Sequence, residues 1–263
     1  MMKVIFATDF YAASVTARAL LMKLTWSAAT ALELLHVMTP PGRLGWFGRS
    51  EHAPEALEAA RRELRSFGSD LAARVESRGG SVQHALLIGD PATTIIQRAL
   101  ATKSDLIVIG GPGRAESVSG ELSSLSAALA SGAHCSVLIA RTERVEHLVI
   151  ATDAKTADEL AERIERWPLF RSIPAIASGS NAADGLERSA ELALSGLRAI
   201  HDPDRGSARV VAMDDEPSQE IRAGFSKDDL VVVRAHRDGD DHIGAQQIPE
   251  VTGFDGSVLL IRG

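Results

Sequence analysis

The sequence repeats itself, and this repeat constrains the fold more than any other feature of the chain. Three segments recur in the same order, which indicates a duplicated unit. Their offsets shrink from 144 to 124 to 121 residues, so the second copy has lost about 20 residues. The matching pairs of segments are 4–9 with 148–153, 103–109 with 227–233, and 135–140 with 256–261. We therefore expect two domains, residues 1–142 and 147–263, with the second shortened.

Within the first copy, short apolar runs alternate with longer, Ala-rich amphipathic stretches. The fourth run is uncharged and β-branched, as buried parallel strands tend to be. Strands separated by helices of this length predict a parallel sheet covered on both faces. The expected fold class is α/β, with two tandem doubly wound domains, each a mainly parallel five-stranded sheet with helices on both faces. The strands predicted in the first copy are 4–7, 32–38, 82–88, 106–109 and 137–140.

The charge is distributed unevenly between the two copies. The chain has 28 Lys and Arg residues against 35 Asp and Glu, a net charge of −7. Residues 1–142 carry 14 basic and 12 acidic side chains, whereas residues 143–263 carry 14 basic and 23 acidic ones. The balance argues against nucleic acid and anionic membranes as partners. On this count only the first copy is suited to bind an anion.

The chain also lacks the features of membrane and secreted proteins. A membrane span needs roughly 20 consecutive apolar residues, and no stretch approaches that length. The apolar run at the start is too short for a signal peptide. The single cysteine, Cys135, excludes a disulfide framework and lies in an apolar stretch typical of a structural thiol. We therefore expect a cytoplasmic protein.

One glycine-rich turn points to chemistry. Gly110-Gly-Pro-Gly113 follows the fourth predicted strand, and a polar loop then leads to Ser123-Ser124 at a predicted helix start. Glycines let backbone N–H groups approach an anion, and the helix N-terminus favours phosphate. The turn is neither a Walker A loop nor a Rossmann glycine pattern. By spacing alone, such a turn is more often structural than ligand-binding.

The same segment resembles the tandem universal stress proteins. After the fourth strand, ATP-binding members of that family carry two glycines with two residues between them. After nine further residues comes a third glycine, followed by Ser or Thr. This chain has Gly110, Gly113 and, after nine residues, Ser123 then Ser124. The resemblance extends to Asp9 at the end of the first strand. It is strong over residues 1–142 and weak over 147–263.

The resemblance implies an adenine-nucleotide site in the first copy. Asp9 would meet the adenosine, Val37 would offer its backbone to the adenine, and the glycine loop and helix start would hold ribose and phosphates. The ligand implied is ATP, with AMP or ADP as alternatives, and Mg²⁺ beside a triphosphate. Two positions depart from the family: Ser123 replaces a glycine, and Ala7 stands where binders often have Pro. The implied site residues are Ala7, Asp9, Val37, Ile109, Gly110, Gly113, Ser123, Ser124, Leu125 and Ser126.

The second copy lacks this loop and is predicted to be degenerate. Asp153 survives, but the segment after Val233 has no glycine pair at the family spacing. That segment holds a cluster of potential ligands that fits no standard metal site, so we expect a solvated loop and no metal. The cluster comprises His236, Asp238, Asp240, Asp241 and His242.

Two functions of different class stay open. The first is a nucleotide-binding module that regulates a stress response; the alternative is a nucleotide-free interaction module that keeps only the fold. The sequence shows no recognisable catalytic constellation, so we expect at most slow ATP hydrolysis. The resemblance also implies that residues 137–140 pair with residues 258–261 to form an intramolecular pseudo-dimer. The sequence does not decide whether two chains pair further.

Overall fold

The computed structural model describes most of the first half of the chain and less of the second. The described residues are 1–39, 53–111, 123–151, 154–173, 175–178, 226–235, 237–238, 242–243 and 256–262.

Eleven strands and five α-helices make up the described secondary structure. The helices are α1 (Ala12–Lys23), α2 (Ala53–Glu76), α3 (Pro91–Thr102), α4 (Ser124–Gly132) and α5 (Ala154–Glu165), with a short 3₁₀ helix at Pro168–Phe170. The strands are β1 (Met2–Ala7), β2 (Thr30–Met38), β3 (Ser81–Ile88), β4 (Leu106–Gly110), β5 (Ser136–Ala140), β6 (His147–Ala151), β7 (Ala175–Ser178), β8 (Asp229–Ala235), β9 (Arg237–Asp238), β10 (His242–Ile243) and β11 (Ser257–Arg262). The five strands predicted for the first copy all form, each within one or two residues of its predicted bounds.

Nine of these strands form one continuous sheet. Its order is β3-β2-β1-β4-β5-β11-β8-β6-β7, and β9 and β10 form a separate two-stranded hairpin. All neighbours in the large sheet are parallel except β5 and β11, which are antiparallel. This confirms the predicted α/β class with a mainly parallel sheet.

Helices cover both faces of the first half of the sheet. Alternate residues of a strand point to opposite faces. Accordingly, Phe6 of β1 packs in one core cluster with residues of α1 and α2, and Ile5 packs in another with residues of α3 and α4. The helices therefore sit in pairs, α1 and α2 on one face and α3 and α4 on the other.

The two halves of the sheet share one strand register. Each of the three segment matches found in the sequence falls on a strand: β1 matches β6, β4 matches β8, and β5 matches β11. Residues that pair in the first half match residues that pair in the second. The corresponding pairs are Val4–Leu106 with Leu148–Leu230, and Leu106–Ser136 with Leu230–Ser257.

The junction between β5 and β11 is symmetric about one pair of leucines. Leu138 faces Leu259, and these residues are equivalent in the repeat. On either side, Val137 faces Leu260 and Ile139 faces Val258. The strands that the resemblance places side by side are therefore hydrogen-bonded neighbours, and their pairing has a local two-fold axis.

Serine hydroxyls on both strands reinforce the same symmetry. The Arg141 backbone N–H donates to Ser257 Oγ at 3.1 Å, and the Arg262 backbone N–H donates to Ser136 Oγ at 3.2 Å. The two bonds are related by the 121-residue offset of the repeat. Both serines are buried, so each satisfies a backbone donor that would otherwise be desolvated without a partner.

The described part of the second half supplies four strands to the sheet, β6, β7, β8 and β11. The fifth strand expected there would fall in residues 179–225, which lie outside the described residues. Among the helices that the structure does describe, none combines the length and the apolar character needed to cross a bilayer.

Candidate functional site

The first half of the sheet has a topological switch point between β1 and β4. From β1 the chain continues to β2 on one side, whereas from β4 it continues to β5 on the other side. In open parallel sheets, ligands bind in the crevice outside the carboxyl ends of strands at such a point. Here Ala7 ends β1 and Gly110 ends β4, so both lie at that edge.

Asp9 is fixed at this edge by the first turn of α1. Its Oδ1 accepts a hydrogen bond from Ser14 Oγ at 2.7 Å and another from the Tyr11 N–H at 3.1 Å. In return, the Asp9 N–H donates to Ser14 Oγ at 3.2 Å. The side chain of Asp9 is exposed and that of Ser14 is buried. Ser14 therefore holds the Asp9 carboxylate at the crevice and leaves it open to a ligand.

Gly110 lets α1 approach the end of β4. A Cβ placed on Gly110 would lie 2.2 Å from both the carbonyl carbon and the oxygen of Ala13. Backbone atoms cannot move aside as a flexible side chain can, so only glycine fits this contact. Gly110 thus has a packing role of its own, as expected of a glycine turn that is structural rather than ligand-binding. It is a poor position for testing ligand binding by mutation.

Helix α4 brings its N-terminus to the same edge. It ends at Gly132, just before β5 begins at Ser136, so it runs antiparallel to that strand. A helix of nine residues is about 13 Å long, close to the length of a five-residue strand. The start of α4 therefore lies near the carboxyl end of the sheet, where β4 and β5 also end.

Ser123 is the N-cap of α4. Its Oγ accepts a hydrogen bond from the Ser126 N–H at 3.1 Å and lies 2.9 Å from Ser126 Oγ. Within the described residues, no hydrogen bond uses the N–H groups of Ser124 or Leu125. The side chain of Ser124 is exposed. The first turn of α4 thus presents two backbone donors and one hydroxyl, an arrangement that suits an anion.

Aromatic side chains lie beside Asp9 and were not predicted from the sequence. Phe10 adopts a left-handed backbone conformation (φ 70°), which is rare for a bulky residue. Its ring packs 4.4 Å from the His36 ring and 5.5 Å from Phe67, centroid to centroid. His36 Nδ1 is 2.7 Å from the Thr8 carbonyl oxygen, so His36 fastens the end of β1 to β2.

The sequence carries only faint signals for these positions. A serine five residues after Asp9, inside the Ala-rich stretch that follows the first apolar run, is the signal that could have identified Ser14. Nothing in the local sequence marks Phe10 for a positive φ, which is rare for a bulky residue. Its ring contact with Phe67 joins residues 57 positions apart, so the local sequence does not indicate that contact either.

The structure brings nine of the ten predicted site residues to the carboxyl edge or the helix start. Ala7 and Ile109 are buried, so only their backbones could reach a ligand. Val37 and Leu125 are half-buried and pack against the core that contains α3 and α4. The other described members lie after β1, at the end of β4 and at the start of α4: Asp9, Gly110, Ser123, Ser124 and Ser126. Gly113 lies outside the described residues.

The other candidate groups contribute less. Burial raises the pKa of the Cys135 thiol to about 11, so it stays protonated at neutral pH and is a weak nucleophile. In the part of the chain that the structure describes, no group of three or more His, Cys, Asp or Glu side chains could hold a metal ion. Asp238 of β9 and His242 of β10 are opposite residues in the backbone register of the hairpin. Asp153, His236, Asp240 and Asp241 lie outside the described residues.

Comparison with known proteins gives one family and a consistent fold. The universal stress protein family model matches residues 1–141. A universal stress protein from Archaeoglobus fulgidus DSM 4304 is 13% identical, with a TM-score of 0.63 over 99% of this chain and 96% of that one. A protein of unknown function from Pseudomonas aeruginosa PAO1 is 16% identical, with a TM-score of 0.61 over 100% of this chain and 92% of that one. No curated protein matches the sequence.

Proposed function

Because the chain belongs to the universal stress protein family, we propose that its first half, residues 1–142, binds an adenine nucleotide. The observation that carries this proposal is the start of α4. Two backbone N–H groups, those of Ser124 and Leu125, are unused within the described residues. They belong to a helix that starts at the carboxyl edge of the sheet, where Asp9 flanks the switch point between β1 and β4.

The proposed ligand lies along that edge. Its phosphates accept hydrogen bonds from the Ser124 and Leu125 N–H groups and from the Ser124 hydroxyl, and the dipole of α4 favours their negative charge. The Asp9 carboxylate, held by Ser14, accepts hydrogen bonds from the adenosine hydroxyls. The Val37 backbone and the glycine loop with Ile109, as the resemblance implies, take the adenine and the ribose. A triphosphate brings Mg²⁺ coordinated by phosphate oxygens and water.

We propose further that residues 147–263 are a second, degenerate domain of the same family. The shared register of the two halves and the symmetric junction of β5 and β11 support a duplicated domain. The glycine pair is missing from this half, so we assign the nucleotide to the first half only. In this proposal the two halves form a pseudo-dimer within one chain.

The role we propose is regulatory and cytoplasmic: nucleotide occupancy changes how the protein assembles or contacts partners during stress. The alternative, an interaction module without nucleotide, is favoured by one observation. Ser123 uses the Ser126 N–H for its own cap, which removes one donor from the proposed phosphate site.

The test is a titration of nucleotide-free protein with Mg-ATP and, separately, with adenosine. Nucleotide is first extracted from freshly purified protein and identified. The variant is Ser124→Asp, which places a negative charge where we propose the phosphates bind. Aspartate in the first turn of a helix is favourable, so this variant keeps the fold. The matched control is Ala92→Asp in the first turn of α3, which follows β3, three strands from β4.

We expect one ATP site per chain in the wild type and in Ala92→Asp. In Ser124→Asp we expect the ATP affinity to fall by a factor of ten or more, on the order of 1.4 kcal/mol, and adenosine binding to stay unchanged. If no nucleotide is extracted and millimolar ATP produces no heat of binding, the interaction-module alternative replaces the proposal.

A further inference from the structure

We propose that Arg262, in the second half of the chain, positions the phosphate-binding end of helix α4 in the first half. The inference rests on the nucleotide site proposed above and adds a residue to it from outside residues 1–142. It gives the degenerate half a defined task in ligand binding.

Arg262 lies at the end of β11 and reaches across the junction to α4. Its Nη2 donates hydrogen bonds to the carbonyl oxygens of Ala130 at 3.1 Å and Ser131 at 2.7 Å. These carbonyls belong to the last turn of α4, where backbone acceptors have no partner within the helix. The side chain is only 8% exposed, so the contact is shielded from competing water.

The charge of Arg262 acts along the same helix as the proposed phosphates. A cation is favoured at the C-terminus of a helix and an anion at the N-terminus. Because α4 has only nine residues, it is a short, rigid element, and a contact at its last turn also restrains its first turn. A helix held at its last turn keeps the Ser124 and Leu125 N–H groups in a fixed direction.

Other parts of the second half also contact α4. Cα atoms of β10 lie within 8 Å of those of α4. Leu129 and Ala130 of α4 share a core cluster with Val258 and Leu260 of β11. Contacts from the second half thus hold α4 at its buried face and at its C-terminus. The direction of its N-terminus therefore depends on the docking of both halves.

The experiment measures dissociation constants of ATP and of adenosine for the full-length chain. The variants are Arg262→Met, Arg262→Lys and Ser136→Ala. Ser136→Ala is the matched control: it removes the acceptor of the Arg262 backbone N–H and leaves the hydrogen bonds to Ala130 and Ser131 in place. Thermal unfolding of each variant establishes that it is folded at the temperature of the titration.

We expect Arg262→Met to weaken ATP binding about fivefold, because it removes the positive charge at the C-terminus of α4 together with both hydrogen bonds that hold its last turn. Adenosine, which has no phosphate, should bind Arg262→Met as it binds the wild type. Arg262→Lys should keep part of the ATP affinity because it retains the charge. Ser136→Ala should keep all of it, although it is also less stable than the wild type.

Two results would overturn the inference alone: ATP affinity unchanged in Arg262→Met, or ATP and adenosine weakened equally, which would mean a general structural effect. A wild-type chain that binds neither compound would overturn the proposed function and, with it, this inference.

Discussion

Ser123 shows how one side chain sets the number of backbone donors at a helix start. As the N-cap of α4, it satisfies the Ser126 N–H, which stabilises the helix. The same bond withholds that N–H from a ligand. A serine in place of the family glycine could either crowd a phosphate or add a donor. In the structure its oxygen is an acceptor for its own helix, which favours weaker phosphate binding than a glycine would give.

We predict that Ser123→Gly binds ATP more tightly than the wild type, by about threefold, because one more N–H faces the phosphates. Glycine is an acceptable N-cap, so the variant should lose only a few tenths of a kcal/mol of stability. Ser123→Ala is the control, because it also frees the N–H but costs about 1 kcal/mol of stability. Calorimetry and urea unfolding measure the two effects, and a Ser123→Gly variant that binds ATP more weakly would contradict this view of the cap.

At the scale of elements, a partly buried ion pair holds α3 against the sheet. Arg98 of α3 donates two hydrogen bonds to the Glu33 carboxylate on β2, at 2.7 and 3.1 Å. Glu33 is only 8% exposed, so water does little to solvate its carboxylate and Arg98 supplies its hydrogen-bonding partner. The bond to Glu33 also raises the pKa of the Arg98 guanidinium. The pair fixes where α3 lies on its face of the sheet.

We predict that Arg98→Met lowers the free energy of unfolding by about 2 kcal/mol, because it leaves a buried carboxylate unpaired while Arg98 itself is partly exposed. Adding Glu33→Met should restore most of that loss, since both charges are then gone. Arg61→Met is the matched control: its partner Glu58 is exposed, and the loss should stay below about 0.5 kcal/mol. Urea unfolding measures all three variants. An Arg98→Met variant as stable as the Arg61→Met variant would contradict the stabilising role of the Arg98–Glu33 pair.

The sequence was sufficient to predict the strands of the first half and, through the resemblance, the pairing of β5 with β11, but not the side-chain contacts between distant elements. The strands of the first half were predictable because their cores are short, uncharged apolar runs, as at Leu106–Gly110. The contact of Arg262 with α4 was not predictable, because it joins residues that lie 131 and 132 positions apart in the sequence. Phe10 was missed because a positive φ is rare for a bulky residue and nothing in the local sequence signals it. The resemblance supplied the candidate site, and the structure added Ser14 as the residue that holds Asp9.

At the scale of the whole molecule, one sheet runs through both halves and depends on the pairing of β5 with β11. The junction is symmetric about Leu138 and Leu259, which are equivalent in the repeat. Without β11, the edge of β5 would expose the buried residues Val137 and Ile139 together with unpaired backbone groups. Such an edge readily pairs with another strand.

We therefore predict that residues 1–142, expressed alone, form a homodimer through two copies of β5, with Leu138 at the two-fold axis. Light scattering after size-exclusion chromatography measures the mass, and a Leu138→Cys variant should form a disulfide across the axis under oxidation. The full-length chain with the same substitution is the control, because there the introduced thiol would face Leu259 and find no second thiol across the junction. A folded, monomeric fragment would contradict the prediction.

Above all, we propose that the first half holds an adenine nucleotide with its phosphates on the start of α4. A crystal structure of the full chain with a non-hydrolysable ATP analogue and Mg²⁺ tests it most directly. We predict one nucleotide per chain, with phosphate oxygens within hydrogen-bonding distance of the Ser124 and Leu125 N–H groups and the adenosine beside Asp9. A nucleotide bound elsewhere, or a first half that stays empty at saturating analogue, would contradict the claim.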